Sequence, residues 1–145
     1  MGIDALLISS SSGARLLARH FGSKTVAERL LFERAVVEHA KLYSGGARRT
    51  MTVQGHTVLV TPVGELLMHV VGSGQDGDEL VLAQVADLVQ QLLEEHLEHR
   101  LTATDLLNPE ALGKVYVSLD EMISDGAIEC LNIDYILKLS KMKAL

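Results

Sequence analysis

The chain has 145 residues, 48% of them hydrophobic and 3% aromatic, with no tryptophan and a formal net charge of -6. That length suits one domain with a core packed mainly from aliphatic side chains. The acidic balance argues against nucleic acid or an anionic membrane as a direct partner, because both call for a basic face.

No apolar run approaches the ~20 residues that span a bilayer. Residues 1–20 lack the basic start and longer apolar stretch of a secretory signal. Taken in order, residues 3–9 form a short apolar run and 10–13 a polar turn. Residues 14–21 then resume with Leu16 and Ala18 on one face and Arg15 and Arg19 on the other. This pattern predicts a β-hairpin, with Gly13 supplying a positive φ in the turn. The serines at 9–12 are read as turn chemistry rather than as a nucleophile cluster.

A helix is predicted over 25–43, opened by a capping box of Thr25 and Glu28 and closed by Ser44-Gly45-Gly46. Its apolar residues occupy three faces: Val26, Leu30 and Val37; Leu31, Ala35 and Leu42; Phe32, Val36 and Tyr43. One sheet cannot cover three faces. Phe32, Val36 and Tyr43 are the expected partner-binding residues, since aromatic anchors are enriched at interfaces; the alternative is that a neighbouring loop or the C-terminal tail covers them.

Three strands are predicted between 48 and 73, separated by turns at Gly55 and at Pro62 to Gly64. The short gaps make them an antiparallel meander. Residues 77–101 form the central helix, with an apolar arc of roughly half its circumference, wider than the ~100° of an ordinary surface helix. It needs a broad platform such as a sheet. A further helix over 109–124 has Asn108 as N-cap, Pro109 at the first helical position and Gly126 as C-cap. Residues 132–145 are weakly helical. The expected order is ββαβββαα plus a short tail, a single α+β domain over 1–145 with a five-stranded antiparallel sheet and helices packed on it.

Little in the chain resembles catalytic chemistry. Gly72-x-Gly74-x-x-Gly77 is a literal GxGxxG between a strand and a helix. Asp76, Asp78 and Glu79, however, put negative charge where a pyrophosphate would lie, and the strand before it belongs to a meander rather than to a βαβ unit. Asp76 and Glu79 fit better as N-cap and capping-box acid. His96 and His99 sit three apart, but no HExxH is present, and His96 falls in the apolar arc. A hydrogen-bonded, partly buried histidine is expected there rather than a metal ligand. Asp120 and Glu121 point roughly 100° apart on their helix and do not form an acid–base pair. Cys130 is the only cysteine. It excludes an internal disulfide, fits a reducing compartment and has no neighbour that would activate it. The expectation is a non-enzyme in the cytoplasm, with no catalytic residue, cofactor or metal.

Three segments resemble the zeta subunits of coatomer, the coat of COPI vesicles, within the longin-like superfamily of adaptor small chains. ALLISSSSGARLLARHF is similar to that family's opening hairpin. GELLMHVVGSGQDGDELVLAQV is similar to its strand, turn and helix start. VYVSLDEMISDGAI matches a further segment through Leu119, Asp120, Glu121, Asp125 and Gly126. His20-Phe21 departs from the family's paired tyrosines, and Asp78 stands where Asn or Glu is usual. Lys114-Val115-Tyr116 through Met122 leans toward the sigma subunits of clathrin adaptors, although 56–63 lacks their paired-arginine strand.

The resemblance implies a longin-like fold and a non-catalytic role in vesicle-mediated transport between Golgi and ER. It implies pairing with the N-terminal helical trunk of a large gamma-type subunit. Recruitment to Golgi membranes would then come through an Arf-type GTPase bound by the assembly, without membrane insertion by this chain. A free-standing longin-like trafficking regulator is the other class; a SNARE-type longin would add a heptad segment and anchor after the domain.

Overall fold

The structure is a computed structural model that describes residues 2–10, 12–21, 25–41, 47–72, 79–124, 127–128 and 132–143. The elements follow in chain order: β1 (Ile3–Ser10), β2 (Arg15–His20), α1 (Val26–Lys41), β3 (Arg49–Val53), β4 (His56–Val63), β5 (Leu66–Gly72), α2 (Glu79–His96), α3 (Ala103–Leu106), α4 (Pro109–Met122), β6 (Ile123–Ser124), β7 (Ala127–Ile128) and α5 (Ile133–Lys143). The five long strands form one sheet in the order β2-β1-β5-β4-β3. Every pairing in it is antiparallel.

Turn chemistry sets the hairpins. Gln54 and Gly55, with φ of 48° and 79°, make the two-residue loop between β3 and β4, the paired positive φ values of a type I′ turn. Gly64, at φ +59°, opens the loop between β4 and β5. A Cβ there would lie 2.4 Å from the Leu101 Cβ and 2.8 Å from the Leu101 carbonyl oxygen. The close approach is used: the Glu65 amide donates to the Leu101 carbonyl at 2.9 Å. This contact pins the chain leaving α2 to the end of the sheet.

The two sheet faces are packed differently. α2, α4 and α5 cover one. Their inward residues, among them Leu82, Val85, Val89, Leu92, Leu93, Val115, Leu119 and Ile136, meet Leu6, Ile8, Leu59, Met68 and Val70. α1 covers the other, where Phe32 and Val36 meet Ala5, Leu7, Met51, Val53, Val58, Val60 and Val71. The period-2 alternation along the strands thus feeds two cores.

The central helix is shorter than 77–101 and ends at His96. Glu98 and His99 follow it in the left-handed region, with φ of 52° and 64°. The segment after it holds a short helix that the sequence pattern does not predict: Thr102 caps α3 by accepting from the Asp105 amide. α4 starts where Asn108 and Pro109 place it, with the Asn108 side chain accepting from the Glu110 and Ala111 amides. It ends at Met122 because Ile123 turns extended and pairs with Ile128 in a two-stranded ribbon. The proposed caps Asp76 and Gly126, the terminator Ser44-Gly45-Gly46, and Cys130 lie outside the described residues.

Candidate partner interface

The first helix begins as its sequence dictates. The Thr25 amide donates to the Glu28 carboxylate at 3.2 Å, and the Glu28 amide donates to the Thr25 hydroxyl at 3.2 Å. That reciprocal box fixes the helix start and so the direction of every side chain after it.

Those directions correct the expected partner surface. Phe32 and Val36 are buried within the chain itself, under α1 and against the sheet. Phe32 meets the His56 ring edge to face, with centroids 5.1 Å apart. Tyr43, the third expected contact, lies outside the described residues. The surplus of apolar faces on α1 is real but falls elsewhere: Val26, Leu30 and Leu31 are 70%, 53% and 63% exposed. Because three faces were apolar, hydrophobicity could not say which one the sheet takes. Charge gave the missing signal. Glu33 follows Phe32 and is drawn down to β2, where Arg15 holds it at 2.7 Å and His20 lies at 3.3 Å. Glu33 takes these partners on the β2 side while Phe32 and Val36 face the sheet.

The face beneath α1 also holds polar groups. Glu33, Ser9 and His69 are buried. His69 stands opposite Leu7 on β1 and Val60 on β4, so its ring projects into the apolar layer. Burial lowers its pKa from the ordinary 6.5 to about 4, an effect partly offset by the Leu7 backbone. The histidine is therefore neutral at pH 7. At the far end, His56 Nδ1 lies 3.0 Å from an Asp4 carboxylate oxygen.

Ser118 donates its single hydroxyl proton to the Lys114 carbonyl at 2.9 Å. His96 Nε2, 2.8 Å from the same Ser118 oxygen, must then carry a proton and donate. It ties α2 to α4. Among the described residues no group of three or more His, Cys, Asp or Glu is placed to hold a metal ion. Asp120 binds Arg19 of β2 at 2.9 Å. β5, which leads into the glycine-rich turn, is antiparallel to both neighbours; a dinucleotide-binding unit needs a parallel pair there. Gly74 and Gly77 lie outside the described residues. No helix of the described residues is long and apolar enough to cross a membrane.

A five-stranded antiparallel sheet carrying one helix on one face and a helical layer on the other is the longin-like α+β architecture of adaptor-complex small subunits. One chain of a homology model of the full-length AP-3 complex in a stretched open conformation superposes with a TM-score of 0.72, covering 97% of this chain and 92% of that one at 12% identity. In sequence, the chain is 26% identical over 133 residues to coatomer subunit zeta-1 of Oryza sativa subsp. japonica, covering 87% of this chain and 71% of the relative. No protein-family model matches it.

Proposed function

We propose that this chain is a non-catalytic small subunit of a vesicle coat, of the coatomer zeta kind. The observation that carries the reading is the 26% identity to coatomer subunit zeta-1, sustained across nearly the whole domain and accompanied by the adaptor small-subunit fold. In this reading the chain pairs with the N-terminal helical trunk of a large gamma-type subunit and reaches Golgi membranes through an Arf-type GTPase bound by the assembly. It works in the cytoplasm and binds no nucleotide, nucleic acid or catalytic metal. The solvent side of α1, through Val26 and Leu30, supplies part of the contact with the trunk. Apolar side chains this exposed on a monomer mark interaction surfaces when they cluster.

A specific observation favours a second reading, a sigma-like subunit of a clathrin-type adaptor: the fold match is to an AP-3 chain, and 114–122 is similar to the sigma pattern.

Affinity capture from cytosol separates the two. Stoichiometric recovery of a gamma-type coatomer large subunit is the expected result. Recovery of an adaptor large chain would move the assignment to sigma, and recovery of neither would overturn both. A chain carrying Val26→Glu and Leu30→Glu should melt like the parent and lose capture by about tenfold, or ~1.4 kcal/mol.

A further inference from the structure

The sheet has two edges, and the fold treats them differently. At the β2 edge, the carbonyl of Ala18 accepts a hydrogen bond from the Tyr116 hydroxyl at 3.4 Å, and Arg19 holds Asp120 of α4. α4 thus reaches that edge at two residues. Among the described residues, the β3 edge carries no such contact. Val53 and His56 flank the two-residue turn. In such a hairpin the flanking pair exchanges both hydrogen bonds, and every second pair after it does the same. Val53, Met51 and Arg49 therefore bond inward to His56, Val58 and Val60. Thr50 and Thr52 turn their N–H and C=O groups away from β4. Among the described residues nothing meets those four groups, and both threonines are exposed.

A second observation concerns what stands above that edge. α1 runs closest to β3. Phe32 points into the sheet, and Glu33, one residue on, turns toward β2. Successive helical residues are about 100° apart, so Leu31, one residue before Phe32, turns the opposite way, to the β3 side. It is 63% exposed, and Ala35, one turn on, packs half-buried against the α1-side core.

We propose that the β3 edge, walled by Leu31, docks an extended segment of another polypeptide, which adds to the sheet as a further antiparallel or parallel strand. The unmet backbone groups specify a strand as occupant, because only an extended backbone presents complementary groups at their spacing. Leu31 specifies its composition: residues of the added strand that lie beside Met51 face the α1 side, and apolar side chains at alternate positions would cover Leu31. A second copy of this chain fits less well. Self-pairing of so short a strand buries far less than the ~1,200 Å² of a stable interface, whereas a peptide needs only the ladder and one pocket wall. The site lies on a different side of α1 from Val26 and Leu30 and holds whether or not the coat-subunit reading does.

Amide hydrogen exchange on the isolated chain tests the edge. Thr50 and Thr52 should exchange much faster than Met51 and Val53; equal protection would mean that the edge is already covered, and would overturn the proposal. The occupant is tested by NMR titration with a short synthetic peptide alternating valine and threonine, with lysine at each end. Shifts should centre on 49–53 and Leu31. Thr52→Pro removes only an outward N–H, which an edge strand tolerates, and should weaken binding about tenfold or more with an unchanged melting curve. Leu31→Lys, at an exposed position, is the companion variant and should weaken binding without touching the ladder. Shifts located elsewhere, binding indifferent to both variants, or β3-dependent dimers in sedimentation would each overturn it.

Discussion

His69 is the residue whose environment departs furthest from its chemistry. Its pKa is about 4 in the fold against 6.5 in the open chain, so the unfolded state takes the proton first. The sign follows: its penalty is absent above pH 6.5, grows as pH falls from 6.5 toward 4, and is complete below 4. Two to three pKa units correspond to about 3 kcal/mol of lost stability. Urea unfolding at pH 7 and pH 4.5 should show a loss of that order, and His69→Leu should flatten this part of the pH dependence; a parent-like slope in the variant would place the titration elsewhere.

Glycines make a second contrast at this scale. Gly64→Ala puts a methyl group into the Leu101 backbone at positive φ and should cost about 2 kcal/mol or more. Gly113, inside α4 with nothing within 4 Å of its Cβ position, should accept alanine and gain up to ~1 kcal/mol from helix propensity. Thermal melts of the pair should move in opposite directions.

Among the elements, α1 and α2 differ in how their sequence declares an inward face. α2 is apolar along one broad arc, and Leu82, Val85, Val89, Leu92 and Leu93 are buried as that arc requires. Only its first turn escapes: Leu80 is exposed. α1 distributes apolar residues around its whole circumference, and the face it buries carries Phe32 and Val36 with Glu33 paired to Arg15 beside them. The test is a pair of substitutions. Val36→Asp buries an unpaired charge and should cost several kcal/mol, enough to unfold much of the population of a domain with ~5–15 kcal/mol in hand. Leu30→Asp, on the solvent side, should stay within about 0.5 kcal/mol of the parent in denaturant titration. Equal losses would mean that α1 is turned differently from the structure.

For the whole molecule, the two cores are unequal. Among the described residues, twenty-three buried side chains make the core under α2, α4 and α5, against nine under α1. The smaller core also carries buried Glu33, His69 and Ser9, whose desolvation offsets part of its apolar gain. Local opening should therefore begin at α1. Hydrogen exchange followed by mass spectrometry should show α1 peptides exchanging ahead of α2 peptides, with a wider gap at pH 5, where an opened state protonates His69 while the folded state keeps it neutral. If the coat-subunit reading is right, a large-subunit trunk seated on Val26 and Leu30 should slow α1 more than any other element.

The sequence by itself determined the elements whose signals are local. The capping box at Thr25 and Glu28, the Asn108-Pro109 start, the glycine turns at Gly55 and Gly64, and the arc of α2 each act within a few residues, so the antiparallel sheet and its helical cover were legible. The short α3 was not, because one helical turn has too few positions to show a period. Only the tertiary structure decided which face of α1 is core. The contacts that distinguish it, Phe32 and Val36 with the sheet and Glu33 with Arg15 and His20, join residues well separated in sequence. The same holds for the β3 and β2 edges: an edge exists only once strand order is set, and that order is fixed by long-range pairing between β1 and β5, which no local pattern encodes.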